Sequence, residues 1–399
     1  MGFLLKEEIA PARLQQALED LRPRFPSFFV SVRKGFFRYY LVPTDHSGHV
    51  RRDKARPCQP MHLFSETEPL LRVLYDRRRL SVELSHLLAD GGGALVFVQA
   101  LLARYLELGG VDVSGSGLPK LHEQPQPGEL ADSYRQFSTN CREKPRADRF
   151  AWQYRAERRP DYLKVVQGQI PLEDILPRVK ERGLTVTGYL MCAYLYAFYT
   201  ADPRARRSRK PIQLTIPVSL RKYYPSESLR NFTLYANLGF SPYRARDELS
   251  RCGAELECFE VILQVMHGQL AAACTKEEMH KLLCQSVRLA DNALLWACPN
   301  FLKRHFMRIG YRIVGEEKST SALSNLGQVQ MPPCLEAHVD AVEIMLGSTK
   351  LKRLACVVFS FKGALQVFFS GDSPNTQVQR EFFRLLASEG MRVQVGSNM

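Results

Sequence analysis

Nine histidines occur in the 399-residue sequence, and only His86 is followed at fixed spacing by an acid and a glycine, as His86-Leu-Leu-Ala-Asp90-Gly91. A neutral imidazole near its working pKa can take a proton from a hydroxyl, thiol or amine as that group attacks a thioester carbonyl. The three fixed positions would coincide by chance in about 3% of chains with this many histidines. The pattern therefore depends on its placement. Three consecutive glycines, Gly91 to Gly93, follow the acid. Their spacing fits neither a dinucleotide nor a nucleoside triphosphate loop, so they are read as backbone freedom beside a substrate, with Gly91 and Gly92 nearest the chemistry.

The elements on either side can present such a loop. Leu80, Val82 and Leu84 alternate with polar neighbours, which predicts a strand ending just before His86. A preceding run over 70–75 pairs with it as a hairpin around Asp76-Arg77-Arg78. After the glycines, Ala94, Leu95, Phe97, Val98, Leu101, Leu102 and Tyr105 predict a helix apolar on most of its circumference, and therefore buried, ended by Gly109-Gly110.

Around this unit the pattern reads as a strand over 3–8, a helix over 10–22 and a hairpin of 28–32 with 35–42 turning at Arg33-Lys34. A Pro- and Gly-rich connection crosses from 111 to about 168. The second half predicts helices over 171–182 and 187–200, strands over 213–218 and 232–240, and helical stretches within 246–272, 276–294 and 300–312. Strands over 322–326, 337–346, 354–361 and 364–370, a helix over 376–388 and a short last strand follow. Two domains are expected, 1–168 and 169–399, as suits this length.

Composition narrows the class. At 45% hydrophobic, 24% charged and 10% aromatic, the sequence is globular. The formal net charge of +14 is spread over separated clusters without a nucleic-acid motif or basic tail, so no nucleic-acid partner is expected. A narrower use for two or three of these cations is attraction of an anionic substrate such as the nucleotide end of coenzyme A. Ten cysteines include no Cys-x-x-Cys, and His267, His280 and His305 lack ligand spacing, so neither a disulfide framework nor a metal site is expected. No apolar run reaches the ~18 residues of a membrane span. A reducing cytoplasm is the expected compartment.

The sequence resembles the coenzyme A-dependent acyltransferase superfamily, which includes chloramphenicol acetyltransferase, wax ester synthases, alcohol acetyltransferases and peptide-synthetase condensation domains. The likeness covers nearly the whole chain. It runs through Arg24-Phe-Pro26, Gly35-Phe-Phe37, Glu68-Pro-Leu70, the His86 to Gly91 motif, Pro217-Val-Ser-Leu-Arg221 with Leu229-Arg-Asn-Phe232, and Leu323-Ser-Asn-Leu-Gly327. Bacterial alcohol acetyltransferases are the members it looks most like.

This resemblance implies an α/β fold with mixed sheets: two chloramphenicol acetyltransferase-like sandwich domains in one chain, with a solvent tunnel between them. It implies that His86 is the general base, that Asp90 is structural, and that Arg221 is its partner across the domains. Ser324 and Asn325 would lie by the tunnel, with Asn325 helping to hold the oxyanion and Ser324 lining the substrate path; a turn-forming role for Ser-Asn-x-Gly is the alternative. The implied reaction moves an acetyl or longer acyl group from acyl-coenzyme A to an alcohol in a monomer without a metal. Amide formation from a thioester on a carrier protein supplied in trans, and a non-catalytic binding member of the same fold, are the alternatives. Three features depart from the family pattern. Ser85 stands where many relatives have a further His, the Asp-Phe-Gly-Trp-Gly motif of the plant branch is absent, and relatives carry an extra segment ahead of the first strand. The last implies either a longer natural N-terminus or a more open tunnel.

Overall fold

The computed structural model describes the chain except residues 45–48, 54–56, 60, 62–69, 140–142, 160–162, 244–257, 311–314, 348–351 and 399. Glu68 and Pro69, and the first part of the helical stretch expected within 246–272, lie outside the described residues.

Fourteen strands are described: β1 Gly2–Leu5, β2 Val30–Lys34, β3 Tyr39–Pro43, β4 Val50–Arg52, β5 Leu71–Asp76, β6 Arg79–Leu84, β7 Lys164–Pro171, β8 Ile212–Ser219, β9 Thr233–Phe240, β10 Ser321–Gln328, β11 Val339–Glu343, β12 Leu354–Phe361, β13 Ala364–Gly371 and β14 Gln394–Ser397. They form a five-stranded sheet ordered β11-β1-β6-β5-β4, a seven-stranded sheet ordered β14-β7-β13-β12-β10-β8-β9, and the ribbon β2-β3. Both large sheets are mixed: β4 runs parallel to β5, and β10 runs parallel to both β8 and β12. The architecture is mixed α/β.

Strand β12 shows why the larger sheet is central. Val357, Phe359 and Phe361 enter one apolar core while Leu354, Cys356 and Val358 enter the other, so the two-residue strand period divides one apolar run between two layers. The first core is closed by the helices Pro11–Leu21 and Gly91–Glu107 and by the inner face of the five-stranded sheet. The second is closed by the helices Val186–Ala201 and Gln377–Ser388.

The boundary expected at 168/169 falls inside β7, and β11 leaves the second half to pair antiparallel with β1. Sheet membership thus crosses the sequence division. The first hairpin turns later than the sequence pattern predicts. Arg33 and Lys34 remain in β2, and Gly35 N–H donates to the Arg38 carbonyl at 2.8 Å, which puts the turn at Gly35–Arg38. A Cβ at Gly35 would stand 2.9 Å from that carbonyl and 2.7 Å from the Tyr40 ring, so glycine is what lets the turn close here. Among the described residues, the connection over 111–168 holds two short helices, Pro127–Leu130 and Ser133–Phe137, before β7 begins.

Candidate active site

His86 occupies the second position of a tight turn. Leu88 N–H donates to the Ser85 carbonyl at 2.9 Å, the Ser85 hydroxyl accepts from Leu87 N–H at 3.3 Å, and Ser85 N–H donates to the Leu70 carbonyl at 2.9 Å. The turn throws His86 and Leu87 outward while Leu88, Ala89 and Asp90 go into the core. His86 is exposed and makes no hydrogen bond among the described residues. Its imidazole is open to contact from outside the protein.

Asp90 anchors the loop behind it. It caps the helix Gly91–Glu107, accepting from Gly93 N–H at 3.1 Å, as a short carboxylate side chain does for the orphan donors of a first turn. Its other oxygen accepts from Arg221 Nη1 at 2.5 Å, from Phe232 N–H at 2.9 Å and from the Thr233 hydroxyl at 3.1 Å. Burial alone would raise this carboxyl. The Arg221 hydrogen bond, the Phe232 N–H, the Arg221 charge and the Gly93 N–H outweigh it and hold Asp90 below the ordinary carboxylate range.

Arg221 uses its second terminal nitrogen on the carbonyls of Ser228 at 2.6 Å and Arg230 at 2.8 Å. One guanidinium therefore fixes the Asp90 loop against the chain entering β9. The two segments touch closely enough that a Cβ on Gly93 would stand 2.0 Å from the Leu229 carbonyl oxygen. Leu229 N–H in turn donates to the Glu129 carbonyl at 2.9 Å, and Arg24, nearly fully buried, grips the Glu129 carboxylate with bonds of 2.5 and 2.6 Å. The Arg24 and Leu229 segments singled out in the sequence thus belong to one chain of contacts reaching Asp90.

Strand β10 brings the second-half segment alongside. A Cβ on Gly91 would come within 3.1 Å of the Leu326 side chain, so the end of β10 lies against the glycine loop. Asn325 donates its amide N–H to the Thr187 hydroxyl at 2.8 Å and accepts Gly327 N–H at 2.8 Å, Gly327 being left-handed at φ 74°. Ser324 is half-buried and makes no side-chain hydrogen bond among the described residues. No hydrogen bond joins His86 to Ser324 or Asn325 among the described residues. The structure brings together Asp90, Gly91, Gly92 and Arg221 directly, and Ser324 and Asn325 through their neighbour Leu326. Two cavities, of about 380 Å³ beside β8 and β9 and about 540 Å³ beside β7 and β14, are lined by none of these residues.

Sequence reasoning did not find Thr187, Thr233 or Tyr134. The Tyr134 hydroxyl donates to the Thr233 carbonyl at 2.6 Å and accepts Thr233 N–H at 3.1 Å, and burial pushes its pKa up to about 12, so it stays protonated. Thr187 opens an apolar helix and Tyr134 sits in an irregular connection. Neither carries a motif that would mark it.

Among the described residues no three His, Cys, Asp or Glu side chains are grouped to hold a metal ion, and no helix is long and apolar enough to cross a membrane.

No protein-family model matches the sequence, and no curated protein sequence is significantly similar to it. Solved structures are similar along almost the whole chain. Polyketide synthase associated protein 5 from Mycobacterium tuberculosis superposes with a TM-score of 0.60 at 16% identity, covering 97% of this chain and 92% of that one. The epimerization domain from the third module of tyrocidine synthetase B gives 0.57 at 10% identity over 97% and 90% of the two chains. The first condensation domain of the CDA synthetase gives 0.52 at 13% identity over 97% and 89%. The fold of this chain is the two-domain, condensation-domain-like fold that these structures share.

Proposed function

We propose that this protein is an acyltransferase that moves an acetyl or longer acyl group from the thioester of acyl-coenzyme A to an alcohol, with His86 as general base. The observation that carries this reading is the pairing of a free, exposed imidazole with a loop held rigidly by a buried carboxylate behind it. His86 takes the proton from the acceptor hydroxyl as its oxygen attacks the thioester carbon. The new C–O bond forms and the carbonyl electron pair moves onto oxygen. Collapse of that oxyanion breaks the C–S bond, and the departing thiolate takes the proton back from the imidazolium. No acyl-enzyme is needed.

Asp90 and Arg221 act as positioning residues. Asn325 keeps one amide N–H beyond its bond to Thr187 and is the proposed oxyanion donor. Gly91, Gly92 and Ser324 line the substrate path between domains 1–168 and 169–399. Incubation of the purified protein with acetyl-coenzyme A and a panel of alcohols and amines, with products read by mass spectrometry, tests the reading. Ester products that vanish in His86→Ala support it.

A second reading is amide formation from a thioester on a carrier protein, favoured by the similarity to a peptide-synthetase condensation domain. It keeps the same base and changes the donor. Supplying the same acyl group on coenzyme A and on a carrier protein in one transfer assay separates the two.

A further inference from the structure

The helix Asn300–Gly310 carries an apolar arc and is exposed along nearly its whole length. On a 100° wheel Phe301, Leu302, Phe306 and Ile309 fall within one arc of about 140°. These four side chains are exposed, Phe301 at 64% and Phe306 at 61%, whereas only Asn300 at the helix start is buried. An ordinary surface helix would bury that arc. Here the helix is held by its other groups.

What holds it is the tip of the β2-β3 ribbon. Asn300 N–H donates to the Phe36 carbonyl at 2.8 Å, Asn300 Nδ2 to the Gly35 carbonyl at 2.7 Å, and Lys303 Nζ to the Phe37 carbonyl at 2.7 Å. The Arg38 guanidinium lies 3.6 Å from the centre of the Trp296 ring. Hairpin tip and helix therefore form one platform, and the tip adds two more exposed rings, Phe36 at 68% and Phe37 at 45%. Large apolar side chains exposed together on one such platform, rather than scattered singly, mark an interaction surface.

The two segments of the platform carry charge of one sign. Arg33, Lys34, Arg38, Lys303, Arg304 and Arg308 all lie in the two segments, and neither 30–43 nor 293–310 contains a single Asp or Glu. Outward aromatic and aliphatic side chains among uncompensated cations are the features of an element that rests in the interface of an anionic bilayer, its rings among the acyl chains and its cations at the headgroups. We propose that the hairpin tip and the helix Asn300–Gly310 together dock this protein onto an anionic phospholipid membrane surface. The inference rests on neither His86 nor the proposed reaction.

Vesicle co-sedimentation of the full chain tests it, with one set of vesicles of phosphatidylcholine and another of equal parts phosphatidylcholine and phosphatidylglycerol. Binding to the anionic set is expected, with partitioning reduced at least about tenfold both by Phe301→Asp with Phe306→Asp and by Arg304→Glu with Arg308→Glu. Arg207→Glu with Lys210→Glu makes the same charge change on another exposed basic segment and should leave partitioning within about twofold of wild type. Circular dichroism confirms that each variant is folded, and the charge pair carries the test if the phenylalanine pair is not. Equal binding to neutral vesicles, unchanged binding of both platform variants, or an equal loss in the control pair would overturn the proposal. So would self-association that disappears in the phenylalanine variant without any vesicle binding, which would make a second copy the occupant.

Discussion

Asp90 and Arg221 stand 131 positions apart in the chain and meet at 2.5 Å, the carboxylate nearly fully buried and the guanidinium about one quarter exposed. Neither group is satisfied by the other alone. Asp90 also accepts three further donors and Arg221 also serves two carbonyls, so the pair is the centre of a network, and removing one member leaves the rest unmatched.

Arg221→Ala should destabilise the fold by about 3–5 kcal/mol, because a buried carboxylate loses its counter-charge. Arg221→Lys should recover only part of that, since one ammonium cannot reproduce the forked contacts to Asp90, Ser228 and Arg230. Urea unfolding of the purified variants measures both. Equal stability of Arg221→Ala and wild type would contradict the network account.

Acid stability should depend on Asp90. Its carboxyl is held below the ordinary range in the folded protein, so it contributes stability that is fully present above the unfolded value of about 3.9 and is lost as pH falls through the folded value. Asp90→Asn should be less stable than wild type at neutral pH and lose less on acidification below about pH 4. Denaturant midpoints across that range check the sign.

The three glycines should not be equivalent. Gly93→Ala places a methyl group 2.0 Å from the Leu229 carbonyl and must push the two segments apart, outweighing the ~1 kcal/mol that alanine gains over glycine in a helix. At Gly92 a Cβ has nothing nearer than 3.5 Å, so Gly92→Ala should fold with wild-type stability or slightly better. Thermal melting of the two single variants gives the contrast.

Much of this was legible in the sequence where the local signal was strong. The period-two pattern of 80–84 and the glycines after Asp90 located a strand, a loop and a helix start, and the structure has them at Arg79–Leu84 and Gly91–Glu107. The fold class was legible through the resemblance and agrees with the similar solved structures. Local pattern could not reveal that β11 crosses to β1, because its residues read as one more half-buried strand whichever sheet they join. Thr233 and Tyr134 were hidden for a similar reason. Their hydrogen bonds depend on where chain segments 99 and 143 residues apart come to rest.

Asn325→Ala should lower transfer by about 10–100-fold if its spare amide N–H faces the oxyanion. Thr187→Val, which frees the Asn325 amide from its present acceptor, should have a smaller effect on turnover than Asn325→Ala. Single-turnover rates at saturating donor compare them. Equal rates for Asn325→Ala and wild type would assign Asn325 to the Gly327 turn alone.

His86 is the most direct test of the whole reading, because its side chain is exposed and unbonded and its removal costs the fold little. The decisive measurement is the rate of acyl transfer from acetyl-coenzyme A to an accepted alcohol by His86→Ala, beside its melting temperature. The account predicts a loss of about 10²–10⁴-fold in turnover with the melting temperature essentially unchanged. Transfer at the wild-type rate by folded His86→Ala would contradict it.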